Sequence, residues 1–167
     1  MKARKVKVDP DAGFGESILA ILSARLDELY SFDPAEPGDL HDMRIAAKRV
    51  RYLLETAEPV FGEPAKRGVK TMKQLQDILG DIHDCDELLP LVEEHVEKLR
   101  AEDAAAAAAK DPLPNRRKYR GLEALRAHTV AERERLYARF ARKWAKLGRE
   151  AFRARLEVEL ARAEVPA

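Results

Sequence analysis

Cysteine is almost absent from the sequence, and Cys85 on its own cannot close an internal disulfide, so the fold must rest on a packed core. Long apolar runs are missing as well: no stretch approaches the roughly 20 residues that a membrane-spanning helix requires. The opening MKARKVKV is basic but has neither the apolar run nor the small-residue cleavage site of a secretory signal. These absences predict a cytoplasmic protein, with residues 1–13 as a basic, flexible start. Aromatic residues make up only 6% of the chain, which leaves little for stacking on nucleic-acid bases. There is no Gly-rich phosphate loop, no Walker motif and no defensible pair of catalytic carboxylates. A formal net charge of +1 means that overall basicity gives no argument for an anionic partner.

What is present points to helices. Ala, Leu, Glu, Arg and Lys dominate the 167 residues, and 37% are charged, a supply that favours an all-α fold. The charges are segregated along the chain. Leu40 to Lys73 holds eight Lys or Arg against four acids, Asp77 to Asp103 two against ten, and Lys110 to Arg149 thirteen against four. Such blocks imply faces or ends of opposite sign.

The apolar periodicity and the breakers predict six helices. The first runs from about Phe14 to Tyr30, with Ile18, Leu22, Leu26 and Leu29 on one side. FDPAEPGD then interrupts, and Asp39 is suited to cap a second helix from Leu40 to Val60. A third is expected from Ala65 to Leu79, stopped by Gly80, and a fourth to Asp103, with Asp81 or Asp84 as its cap and Pro90 near its beginning or at a kink. Four helices on short links make an antiparallel bundle over residues 14–103. Six consecutive alanines, Ala104 to Ala109, and then Pro112 and Pro114 read as helix end plus linker over 104–115. A long helix from Arg116 to Leu147 and a short one from Arg149 complete residues 116–163. The seam of the long helix, Leu122, Leu125, Leu136, Phe140 and Leu147, is thin, which predicts shallower packing.

The most informative stretch is LHDMRIAAKRVRYLLETAEPVFG. On a helix, Met43, Ala46, Val50, Leu53, Leu54 and Ala57 gather on the core side. His41, Arg44, Lys48, Arg51 and Tyr52 gather nearly opposite, at i, i+3, i+7, i+10 and i+11, so that four cationic or potentially cationic groups form a stripe about 15 Å long. Glu55 is the exception on a face otherwise poor in acids. Taken alone, a basic stripe is most often a solvated face. The next helix adds a second one, Lys66, Lys70 and Lys73, away from Val69, Met72, Leu75 and Leu79. Neighbouring stripes of like charge repel, and an anion lying across them would explain the pair. Arg suits bidentate contact with phosphate oxygens, Lys acts as a mobile point charge, and His donates with a charge that depends on pH.

HDMRIAAKRVRY resembles the signature of CHAD domains, helical domains named for their histidines, in which a His is followed by an Arg at i+3 and by a basic Lys/Arg-Arg-x-Arg-Tyr run. MKQLQDILG, followed by DIHDCDELLPL, is similar to the family's second element, and both occur in the expected order and spacing. The resemblance implies non-catalytic binding of inorganic polyphosphate by a basic surface, at polyphosphate granules in some settings, with no cofactor. Carried over residue by residue, it falls on His41, Arg44, Lys48, Arg49, Arg51 and Tyr52, and further on Lys70, Lys73 and His83; Lys66 joins the candidate binding residues through the second stripe alone. Family members usually hold two related halves with a His-x-x-Arg block each. This chain has one such block, since RAHTVAERERL offers His128 without an Arg at i+3, and so resembles a single half. A two-fold homodimer that opposes two copies of the stripe is therefore expected, with a monomer presenting an open basic face as the alternative.

Two other function classes compete. His83, Asp84, Cys85 and Asp86, taken with His41 and Asp42, are similar to the His and His-Asp pattern of metal-dependent phosphohydrolases of the HD type. The outlying ligands have no match and basic stripes are poor metal neighbours, so the cluster is read as a bundle end and no metal is expected. RRKYR at Arg116 to Arg120 and the Arg-rich helix after it could contact nucleic-acid phosphates. Only Tyr119 and Trp144 stand near basic residues as stacking candidates, and Trp144 is expected to pack in a helix seam instead. Cys85 is read as a small buried side chain.

Overall fold

The computed structural model describes residues 4–115 and 117–163. Within them the fold is all-helical: α1 (Phe14–Tyr30), α2 (Pro37–Phe61), α3 (Glu63–Ala108), α4 (Tyr119–Arg149) and α5 (Phe152–Ala163). Residues 1–3 of the basic start and Arg116 of RRKYR lie outside the described residues. The chain forms two compact units. One holds the residues up to Gly80 together with those from Arg139 on, and the other is Asp81–Ala138.

In the first unit α1 buries Ile18, Leu22, Leu26 and Leu29 as its periodicity predicts, and α2 buries Leu40, Met43, Ala46, Ala47, Val50, Leu54, Ala57 and Phe61. Asp39 is not the cap of α2. It sits inside the first turn, where its carboxylate accepts the Asp33 N–H at 2.9 Å, because Pro37 already starts the helix. Gly62 is the only residue between α2 and α3, and its φ of 57° reverses the chain in a conformation that a side chain would oppose. Gly68 lets the returning α3 come close: a Cβ there would stand 2.8 Å from Leu54 Cδ1 and 3.3 Å from Leu156 Cδ1 of α5. The end of α4 belongs to this unit, with Trp144 packed between Tyr30 and Phe140 at centroid distances of 5.0 and 6.3 Å.

The seam between α1 and α2 contains a buried charge, Glu28, only 2% exposed. It accepts the Arg4 N–H and an Arg25 guanidinium N–H, each at 2.8 Å, and Arg49 stands 3.6 Å away. Burial pushes this carboxyl up, but the two hydrogen bonds and the guanidinium charges together hold it below the ordinary glutamate value. Glu28→Ala is expected to lower the unfolding free energy by about 2–3 kcal/mol, since it strips partners from Arg25 and Arg49. A carboxyl depressed in the folded chain stabilises above its unfolded value, and that stabilisation is lost as pH falls through the folded value. Urea midpoints of parent and variant should therefore differ at neutral pH and converge in acid.

The expected third and fourth helices are one. α3 passes through Gly80 and Pro90 without a break, and neither Asp81 nor Asp84 caps a helix start. A glycine ends a helix by taking a left-handed φ, which Gly80 does not do. Kept helical, it costs about 1 kcal/mol relative to alanine, less than the burial of the flanking Ile78, Leu79 and Ile82 returns. Pro90 removes one hydrogen bond and is tolerated. The alanine run extends the helix to Ala108, so the link to α4 begins later than position 104. In the second unit Cys85, Val92, Val96, Leu99 and Leu136 are buried. The turn into α4 is tied down by polar contacts. The Asn115 N–H donates to Asp103 at 3.0 Å, its side-chain amide to Glu102 at 2.8 Å, and the Tyr119 hydroxyl to Asp103 at 2.9 Å. In α4 the thin seam is shallow only at its beginning, where Leu125 is exposed; Leu136, Phe140 and Leu147 are buried.

Candidate functional site

Two contacts fix how α2 and α3 lie together in the first unit. Leu54 meets Gly68, and the Arg44 guanidinium lies over Gly80, its Nε 3.7 Å from where a side-chain carbon would stand. Between these points the two antiparallel helices advance at the same 1.5 Å per residue, which puts Arg51 level with Met72 and Lys73, and Lys48 level with Gln76. On α3, residues 66, 73 and 80 follow one another at two-turn spacing. Lys66 and Lys73 therefore continue the edge on which Arg44 crosses to Gly80.

On α2 the predicted stripe forms. His41, Lys48 and Tyr52 are exposed, while Arg44 and Arg51 are half-buried. The Tyr52 ring serves as a platform for two cations, with Arg51 Cζ 4.8 Å and Lys48 Nζ 5.6 Å from its centroid. Arg51 Nε also stands 3.4 Å from Glu55. No carboxylate among the described residues lies within ion-pair distance of Arg44 or Lys48 on this face, or of Lys70 or Lys73 on α3. On this face two buried polar atoms, Arg51 Nε and Gln76 Oε1, make no hydrogen bond among the described residues, Arg51 Nε meeting Glu55 only as an ion pair, which is uncommon for buried polar groups.

Not all the residues suggested by the sequence join this surface. Arg49 turns the other way, into the α1–α2 seam and its ion pair with Glu28. Lys66 sits at the edge but is engaged by Glu63 at 3.1 Å and Glu58 at 3.9 Å; the hydrogen bond to Glu63 and both acidic charges raise its pKa. Lys70 is rolled outward and lines a groove of about 540 Å³ between α3 and α5 with Arg67, Thr71 and Arg155. His83 is half-buried on the part of α3 that belongs to the second unit.

The residues beside His83 do not converge. Among the described residues no three His, Cys, Asp or Glu side chains gather as metal ligands. Asp86 is ion-paired with Arg133, and Cys85 is buried, its thiol pushed up first by burial and then by the charges of Glu132, Asp86 and Asp84, the reverse of an activated nucleophile. The two aromatics considered for base stacking are used inside the fold, Tyr119 through its hydroxyl and Trp144 against Tyr30. No helix among the described residues is long and apolar enough to cross a membrane.

Against known families, the CHAD domain matches residues 3–93, about half of the chain. The chain belongs to the CHAD family. The matched span takes in α1, α2, the α2–α3 edge and His83, and is consistent with a single half of a CHAD domain. CHAD domains are linked in general to polyphosphate binding and are generally binding modules. Neither a curated protein nor a solved structure matches this CHAD chain. The sequence did not reveal Glu28 as the partner of Arg49; its only signal was the Arg25–Glu28 spacing on α1, an ordinary i,i+3 pair on a helix.

Proposed function

We propose that the chain binds inorganic polyphosphate, without catalysis, along His41, Arg44, Lys48, Arg51 and Tyr52 of α2 and Lys73 of α3, with Lys66 and Lys70 at the margin. The observation that carries this reading is that Arg44, Lys48 and Lys73 lie along one edge of two neighbouring helices yet have no carboxylate within ion-pair distance among the described residues. An ordinary solvated helix face offsets its cations with acids one turn away, whereas these repel one another until an anion lies across them. Arg44 supplies a forked donor and the lysines supply mobile charges, a mixture that follows a flexible polyanion rather than one fixed phosphate. Such a chain would be found where the polymer accumulates, as at polyphosphate granules. His83 is no part of the proposed surface.

Ligand choice tests the reading. In competition binding at matched charge, polyphosphate should displace single-stranded DNA and heparin from the full chain, with no divalent ion required. Preference for DNA would transfer the surface to nucleic acid, and phosphate release that depends on a divalent ion would indicate a hydrolase.

A further inference from the structure

From Arg135 to Arg149 the sequence of α4 contains six cations and no acid. Four of them, Arg139, Arg142, Lys146 and Arg149, recur at i, i+3, i+7 and i+10, the spacing of His41, Arg44, Lys48 and Arg51 on α2. All four are exposed. At 100° per residue they lie opposite the buried Phe140 and Leu147. Lys146 has a partner in Glu150 at 3.6 Å, but no carboxylate among the described residues is within ion-pair distance of Arg139, Arg142 or Arg149. One turn earlier on the same helix, Arg135 is paired with Glu132 in the usual manner.

This part of α4 and the whole of α2 belong to the same compact unit. α4 is joined to α1 through Tyr30 and Trp144, and to α3 by the Lys143 ammonium donating to Gln74 at 2.6 Å. α1 and α3 also flank α2, through Glu28 with Arg49 and through Gly68 and Gly80. Each stripe lies away from the buried residues of its own helix, and α1 and α3 both contact α2 and α4, so the two stripes are separate surfaces of the unit.

We infer that the α4 stripe, Arg139, Arg142, Lys146 and Arg149, is a second polyphosphate-binding face, and that one chain therefore cross-links the polymer. This rests on the polyphosphate reading of α2. The α4 face is the weaker of the two, since Glu150 already offsets Lys146 within it. Two separate faces can each hold a segment of a different chain, and their linkage by long polymer is open-ended. Short polyphosphate would occupy the faces separately without joining proteins.

The test uses the full chain, the variant pair Arg139→Glu with Arg142→Glu, the same positions changed to Gln in case the reversed charges disturb folding, and Arg44→Glu with Lys48→Glu. At low salt, short polyphosphate should titrate a tight site and a weaker one on the parent, and long polyphosphate should raise light scattering sharply. Both α4 variants should keep the tight site, lose the weaker one and fail to scatter. An α4 variant that scatters like the parent, or a parent that stops at a discrete dimer, overturns the inference. Failure of the α2 reading looks different: the Arg44 and Lys48 variant would then retain tight binding.

Discussion

Reversing two charges, Arg44→Glu with Lys48→Glu, is expected to weaken tight polyphosphate binding by at least about 100-fold at moderate salt. Each substitution removes a charge-assisted contact and adds a repulsion, together about 3 kcal/mol or more. Neither residue belongs to the core, so the helical circular dichroism should be unchanged. Arg49 serves as the internal control. It lies in the same basic run, but its ion pair with Glu28 holds it in the α1–α2 seam. Arg49→Gln should therefore lower stability by about 1 kcal/mol and leave affinity within about threefold. Equal losses from both changes would mean that total charge, rather than the face of α2, governs binding.

Phe140→Ala should produce the largest loss of stability, about 3–5 kcal/mol by urea unfolding. Phe140 is fully buried and stacks with Trp144, which in turn meets Tyr30 at the end of α1. The truncation leaves a cavity where α4 joins the unit that carries the α2 surface. A loss below about 1 kcal/mol would mean that this end of α4 is an appendage, as its thin apolar seam suggested.

The contrast between Phe140 and Gly80 shows what the sequence could and could not reveal. α1 was legible from end to end because four apolar residues at helical spacing and clear breakers agree, and the two faces of α2 were legible for the same reason. Gly80 and Pro90 misled because punctuation residues are read locally, while the apolar residues around Gly80 stabilise the helix through burial that a local reading does not show. Helical spacing already set Arg49 apart from the stripe that holds Arg51, but its partner Glu28 could not be read from the sequence, since only the position of α1 brings the two together. The α4 stripe was counted as a block of charge, and its exposure and lack of partners needed the fold.

The most direct test of the central claim is a calorimetric titration of the intact chain with polyphosphate across a series of salt concentrations. If Arg44, Lys48, Arg51 and Lys73 neutralise phosphates, each releases condensed counterions, and log affinity should fall linearly with log salt at a slope of about −3. The slope should fall by about 1–2 in the Arg44→Glu and Lys48→Glu variant. No binding at low salt, or an affinity indifferent to salt, would contradict the assignment of this surface to polyphosphate.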